Sequence, residues 1–157
     1  MQEEVYRQSA VNHEGEDRIR WGWVAVTAVV LEVALVLSAF AWVAIYSYLI
    51  HPGEVLEYYQ NYAQLSGPIV SIVLGIPYWF FACRWAGRKA GSRAVTMSLW
   101  IWSIIFIIDF PLTFLGEPGA YDWAMVALSH STKMIAAFLG GRTALKDVLR
   151  MRLAVQR

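Results

Sequence analysis

The chain has 157 residues, of which 58% are hydrophobic and only 16% are charged. Soluble domains carry about a quarter charged residues and less than half apolar ones, so this composition argues against a water-soluble globular domain. The formal net charge of +1 hides a strong segregation of Lys and Arg along the chain. The apolar residues fall in four blocks, each of a length that is typical of a transmembrane helix.

Residues 1–20 are polar and rich in acidic side chains, and we expect them to form a cytoplasmic segment. The first apolar block, residues 21–50, predicts the first membrane span. A helix crosses the hydrocarbon core in about 20 residues, so this block is long enough to tilt or to protrude.

Residues 51–66 follow a break at His51-Pro52-Gly53 and show helical periodicity. One face carries apolar and aromatic residues, and the other carries polar ones: Val55, Tyr58, Tyr59, Tyr62 and Leu65 against Glu54, Glu57, Asn61 and Gln64. This pattern predicts a short amphipathic helix lying flat on the outer leaflet. Such a helix would serve either as a structural cover over the bundle or as a gate or ligand platform.

Three further blocks predict spans over residues 68–86, 94–115 and 121–141. Pro77 and Pro111 lie inside two of them, where each frees a backbone carbonyl. Residues 142–157 form a basic amphipathic tail, which either extends the fourth helix or bends at Gly140-Gly141 onto the inner surface. The predicted fold class is therefore all-α: an integral membrane bundle of four transmembrane helices.

The basic residues predict the orientation of the bundle. Of the 13 Lys and Arg residues, only Lys133 lies outside the head, the link between spans two and three, and the tail. Cytoplasmic loops of membrane proteins carry an excess of Lys and Arg. We therefore expect both termini in the cytoplasm of a multi-pass protein, in a bacterial inner membrane or a plasma membrane.

Four ionisable residues fall inside the predicted spans: Glu32, Asp109, His130 and Lys133. Charges at membrane depth are costly, so these side chains should face the bundle interior or a water-filled cavity. Counting about 1.5 Å per helical residue from the inner boundary, Glu32 and Lys133 lie roughly 13 Å and 12 Å deep. His130 and Asp109 lie roughly 16 Å and 21 Å deep.

These depths predict a ladder of two pairs, Glu32 with Lys133 and His130 with Asp109. One interpretation is structural, with each pair pinning two helices together. The other is functional, with the ladder relaying protons or coordinating a cation. The sequence thus favours a proton- or ion-coupled transporter or channel-like protein, and the alternative is a non-enzymatic accessory or assembly subunit of a larger membrane complex.

Other chemistry has little support in the sequence. Only His130 lies at depth, so one chain lacks the second ligand of a bis-histidine haem, and no Cys/His spacing indicates a metal site. We expect no cofactor, no nucleic-acid partner and no enzymatic activity. The expected partners are the lipid bilayer and either a second copy of the chain or a larger membrane complex.

Overall fold

The structure is a computed structural model that describes residues 19–115 and 123–155. Within these ranges four long helices follow one another along the chain and pack side by side. Most of the predicted polar segment 1–20, the start of the predicted fourth span at Tyr121 and the last two residues of the tail lie outside the described residues.

Helix α1 covers Trp21–Ile45 and continues as a π-helical segment, Tyr46–Ile50. Its buried residues recur three and four positions apart and so form one stripe: Val24, Thr27, Ala28, Leu31 and Leu35. Large apolar side chains on its other faces are exposed, including Val29 at 63% and Phe40 at 71%. Such a broad exposed apolar surface is typical of a helix that faces lipid.

Helix α2 runs unbroken over Leu56–Gly87, a length of 32 residues. The predicted short helix lying flat over 51–66 is therefore wrong. Pro68 does not end α2, because a proline inside a helix removes only one hydrogen bond and can be accommodated. The tyrosine stripe packs against α1 instead of lipid: Tyr46 stacks on Tyr62 with ring centroids 3.6 Å apart, and Trp42 Nε1 donates to the Tyr62 hydroxyl at 3.0 Å.

Helix α3 covers Ala94–Leu115, which are the bounds predicted for the third span, and it follows a 3₁₀ turn at Gly91–Arg93. Helix α4 covers Trp123–Val155 as a single helix of 33 residues. The basic tail therefore extends the fourth helix, and Gly140-Gly141 does not bend it.

Gly140 and Gly141 bring the backbone of α4 against both α2 and α3. A methyl group on Gly140 would lie 2.5 Å from the Phe80 carbonyl oxygen and 3.1 Å from the Arg84 nitrogen. A methyl group on Gly141 would lie 2.9 Å from Val95 Cα. Small residues that permit such backbone approach are a principal means of helix association in membranes. The two glycines therefore act in helix packing rather than as a hinge.

Tryptophan and basic residues collect at one end of the bundle, which we call the basic end. Trp23 packs edge-on against Trp85 with ring centroids 4.9 Å apart, and Lys89 Nζ lies 5.9 Å from the centroid of the Trp23 ring. Arg84 Nη2 lies 3.0 Å from Asp147 Oδ2. These contacts place the start of α1, the end of α2 and the C-terminal half of α4 at the same end.

Asp147 is the acidic centre of the basic end. Arg88 Nε donates to Asp147 Oδ2 at 3.1 Å, and Arg84 Nε donates to the same oxygen at 3.1 Å. Hydrogen bonds from Arg88 and Arg84 stabilise the ionised carboxylate and hold the pKa of Asp147 below its usual value.

Three helical segments are long and apolar enough to cross a membrane: Trp21–Ile50, Leu56–Gly87 and Gly91–Pro111. They confirm the predicted membrane character of the chain. The described part of α4 is less apolar, because Ser129–Lys133 places five polar residues in succession. Whether α4 can cross a membrane depends on whether these five residues face lipid or the interior of the bundle.

Candidate functional site

A single cavity of about 570 Å³ lies between the four helices and collects all four ionisable residues of the predicted spans. Its remaining walls are a mixture of apolar, small and polar residues. The lining residues are Glu32, Leu35, Val36 and Ala39 from α1; Ala63, Gln64, Gly67, Pro68 and Ser71 from α2; Asp109 from α3; and Met125, Val126, Ser129, His130 and Lys133 from α4.

Lys133 is the most deeply buried of these charged side chains, with 5% of its surface exposed. Its aliphatic stem lies against Gly75 of α2, where an added methyl group would sit 3.4 Å from Lys133 Cε. The missing side chain at Gly75 therefore leaves the space that the lysine stem occupies. The same position is 3.9 Å from Leu35 Cδ2, so α1, α2 and α4 meet at this point.

Glu32 is half-buried, and its Oε2 atom is buried without a hydrogen-bond partner. Among the side chains that the structure describes, Glu32 and Lys133 do not form a direct ion pair. The predicted Glu32–Lys133 ion pair is therefore not formed, although the two groups remain within electrostatic range. Both residues line the cavity, and the carboxylate presents an unused acceptor to it.

Lys133 lies within electrostatic range of both carboxylates, Glu32 and Asp109. Asp109 also interacts electrostatically with His130. The structure thus places the members of both predicted pairs in one cluster, in which Lys133 is near two acids. Two carboxyl groups, one imidazole and one amine therefore share the cavity, and each of them can bind or release a proton.

His130 is held by an aromatic row on α3. Its ring meets the Phe106 ring edge-on with centroids 5.1 Å apart, and its carbonyl accepts a hydrogen bond of 3.2 Å from Trp102 Nε1. Trp102 stacks on Phe106, and Phe106 stacks on Phe110. These contacts fix α4 against α3 beside the cavity and restrict the orientation of the imidazole.

Three polar residues of the cavity wall were not predicted: Gln64, Ser71 and Ser129. The Ser71 and Ser129 hydroxyl oxygens are 3.5 Å apart and link α2 to α4. Pro68, on the same face of α2, cannot donate to the Gln64 carbonyl, which adds an acceptor to the wall. The spacing of Gln64, Gly67, Pro68 and Ser71 is the sequence signal for this face, since positions three, four and seven apart share one side of a helix.

Two aromatic pairs mark the ends of the apolar zone of α1. Trp23 lies at the basic end, and Trp42 lies at the opposite end, which we call the aromatic end. The two tryptophans are separated by about 28 Å at about 1.5 Å per residue, close to the ~30 Å thickness of a hydrocarbon core. Glu32 lies about 13 Å from Trp23 and therefore near the middle of this zone.

The cavity reaches from this middle level to the aromatic end, where Gln64 is exposed. Between Lys133 and the basic end the helices carry fully buried side chains, among them Trp79, Met97, Ile101 and Ala137. The cavity lining therefore reaches the aromatic end, and none of these buried side chains belongs to it.

Comparisons with protein-family models, with curated proteins and with solved structures find no match for the chain. The cavity and the membrane character of the helices are therefore the features that bear on its function.

Proposed function

We propose that the chain is a four-span membrane protein that moves protons or other small cations through its polar cavity, as a coupled transporter or a channel. One observation carries the proposal: all four ionisable residues of the predicted spans line the same cavity. Helix association in a membrane needs only small residues, such as Gly140 and Gly141. Two acids, a histidine and a lysine in one cavity therefore exceed what packing requires.

The position of α4 supports a fourth span. Its glycines lie against α2 and α3, and His130 and Lys133 lie against helices that are apolar enough to cross a membrane. The polar run Ser129–Lys133 contributes three residues to the cavity wall, so its low hydropathy reflects the polar surface that it lines. Charged residues within membrane spans are tolerated on such inward faces.

The distribution of basic residues supports an orientation. Arg84, Arg88 and Lys89 belong to the basic end, which the positive-inside rule assigns to the cytoplasm. The cavity then opens to the outside of a plasma membrane or bacterial inner membrane, and both termini are cytoplasmic.

The roles of the residues follow from their positions. Glu32 offers a buried, unpartnered carboxylate oxygen to an incoming proton or cation. Lys133 partly compensates the charge of Glu32 and Asp109, so that the empty cavity does not carry two uncompensated charges. His130 is a proton carrier on the cavity wall, because imidazole gains and loses its proton near neutral pH. Passage of an ion from the cavity to the basic end requires a rearrangement of the packed side chains between Lys133 and the basic end.

The test is a flux assay on purified protein in liposomes, with a trapped pH dye and an imposed pH gradient. Wild-type protein should carry protons, alone or with a cation from a panel of ions and amines. Glu32→Gln and Asp109→Asn should lower the flux at least tenfold. The matched control is Glu54→Gln, which removes a carboxylate outside the cavity and should leave the flux unchanged.

Two outcomes contradict the proposal. Equal losses in Glu54→Gln and Glu32→Gln would show that the effect does not arise in the cavity. No flux with any ion, combined with a stoichiometric partner in a mild-detergent pull-down, would favour an accessory or assembly subunit instead.

A further inference from the structure

A second cavity of about 570 Å³ lies between α1 and α2. It is a groove with an exposed apolar rim, which includes Leu65 at 75% exposed and Val73 at 61%. Its floor is buried, with Ser66 at 7% exposed and Val70 at 8%. The lining residues are Ser38, Ala41, Trp42 and Ile45 from α1, and Tyr62, Leu65, Ser66, Ile69, Val70, Val73 and Leu74 from α2.

Two hydroxyl groups in this groove lack an acceptor. The Ser66 hydroxyl is buried and has no hydrogen-bond partner. The Tyr62 hydroxyl accepts from Trp42 Nε1 at 3.0 Å, which leaves its own proton to donate. A buried donor without an acceptor is unfavourable, so the floor of the groove favours a ligand that carries a carbonyl oxygen.

Both hydroxyl groups lie at a defined depth. Along α2, Ser66 is about 27 Å from Arg84 of the basic end, and Tyr62 is about 33 Å from it. A hydrocarbon core is about 30 Å thick, so the two donors straddle its far boundary when Arg84 lies at the near one. From Ser66 toward the middle of the bundle the groove is apolar, with Ile69, Val70 and Val73 along it.

We propose that this groove binds one acyl chain of a bilayer glycerolipid, whose ester carbonyl accepts hydrogen bonds from Ser66 and Tyr62. The ester groups of a glycerolipid lie at the boundary of the hydrocarbon core, which is the depth of the two donors. The acyl chain then continues along the apolar floor past Val70. The assignment rests on α1 and α2 crossing the membrane and is independent of any ion flux.

A helix from a partner or from a second copy fits the groove less well. A helix is about 10–12 Å across, so it would lie over the exposed rim rather than reach the floor. Its backbone carbonyls are also bonded within the helix, so Ser66 would stay without an acceptor. A lipid ester brings a free carbonyl on a thin chain, which matches both the shape and the donors.

The first test uses a photoactivatable phosphatidylcholine that carries a diazirine midway along one acyl chain. After reconstitution and irradiation, labelled residues are mapped by mass spectrometry. Residues 65–74 should be labelled several-fold more than the equally exposed lipid-facing surface around Val29. Val70→Phe, which fills the floor, should lower labelling of the groove several-fold. Val33→Phe, at an exposed position outside the groove, should leave it unchanged.

The second test measures how much the ester carbonyl of the lipid contributes to binding. Unlabelled phosphatidylcholine with ester linkages should displace the probe about five-fold more effectively than its dialkyl ether analogue, the effect of about one net hydrogen bond. Ser66→Ala should lower this preference and Ser66→Ala with Tyr62→Phe should abolish it, while Ser131→Ala, which removes an exposed hydroxyl on α4, should retain it.

Three results would overturn the proposal. Labelling that follows exposure alone along all lipid-facing surfaces would show that the groove holds no preferred lipid. Equal competition by ester and ether lipids in the wild-type protein would show that Ser66 does not donate to an ester carbonyl. This result does not depend on whether Val70→Phe folds. Cross-linking of a second copy into the groove, with no lipid labelling, would assign the groove to a protein interface.

Discussion

Gly140→Ala tests whether α4 is held by backbone contact with α2. The added methyl group would lie 2.5 Å from the Phe80 carbonyl oxygen and 3.1 Å from the Arg84 nitrogen. Both are main-chain atoms of a long helix, so neither can move aside as the tip of a flexible side chain does. The helices must therefore separate or shift along their contact.

The expected magnitude is a balance of two effects. Overpacking costs about 1–3 kcal/mol, and we take the upper part of this range because the clash is with backbone. Alanine is favoured over glycine inside a helix by about 1 kcal/mol. The net expectation for Gly140→Ala is a loss of about 2 kcal/mol in the free energy of unfolding.

The matched control is Gly22→Ala, in the first turn of α1, where an added methyl group meets no atom within 4 Å. This variant should be neutral or slightly more stable, by up to about 1 kcal/mol. Gly141→Ala should again lose stability, because its methyl group would lie 2.9 Å from Val95 Cα.

The assay is reversible unfolding in mixed micelles with a rising fraction of sodium dodecyl sulfate, followed by tryptophan fluorescence. Comparable slopes for the variants would show that the same cooperative unit unfolds. If Gly140→Ala is as stable as Gly22→Ala, close backbone contact between α4 and α2 does not hold α4 in place.

Three further predictions follow from the charged groups. Lys133→Met removes the cation near Glu32 and Asp109 and should lower the free energy of unfolding by about 3 kcal/mol. Adding Asp109→Asn should recover part of this loss. If the losses of the two single variants simply add in the same micelle assay, Lys133 and Asp109 are not coupled. Asp147→Asn should lower the melting temperature at pH 7. Because the folded-state pKa of Asp147 is depressed, its contribution is present above the unfolded pKa and disappears as pH falls through the folded pKa, so the difference from wild type should vanish in acid; a difference that persists there would not come from ionisation. For topology, a cysteine at Val55 should react with an impermeant thiol reagent in intact cells, and one at Lys89 should react only after permeabilisation; the reverse result would invert the proposed orientation.

The helices that face lipid were predicted well from composition. The bounds of α3 match the predicted third span, because a long apolar block between a basic turn and a polar loop leaves little choice of helix ends. The collection of Glu32, Asp109, His130 and Lys133 in one cavity also agrees with the expectation that charged side chains avoid lipid.

The amphipathic segment was predicted wrongly because its pattern has two physical solutions. A stripe of tyrosines can lie in the lipid headgroup region or pack against a neighbouring helix, and both bury the same face. The choice depends on the turn before α2, where Gly53 adopts φ 91° and returns the chain alongside α1. There the Tyr59 hydroxyl donates to the His51 carbonyl at 2.7 Å and connects the first turns of α2 to the turn that precedes it.

The sequence could not predict which acid lies near Lys133, for a related reason. Counting residues gives the depth of a side chain along its helix but not the direction in which that helix is rotated in the bundle. Glu32 and Lys133 line the same cavity, yet among the described side chains they form no direct ion pair, and Lys133 is also within electrostatic range of Asp109. The rotation of α4 depends on its packing contacts, such as those of Gly140 and Gly141 with α2 and α3, and counting residues does not give these contacts.

Helix α2 separates the two cavities, and its sequence explains why they differ. Gln64, Gly67, Pro68 and Ser71 face the charged cavity, whereas Ser66 and the residues one turn on either side of it face the apolar groove. A helix of ordinary amphipathic character has one polar face and one apolar face, with water on the polar side. In a helix bundle surrounded by lipid, the polar face of a helix has no bulk water around it. Such a helix therefore requires a polar space inside the bundle. The charged cavity and the apolar groove are therefore two consequences of one pattern, and a substitution that rotates α2 should perturb both.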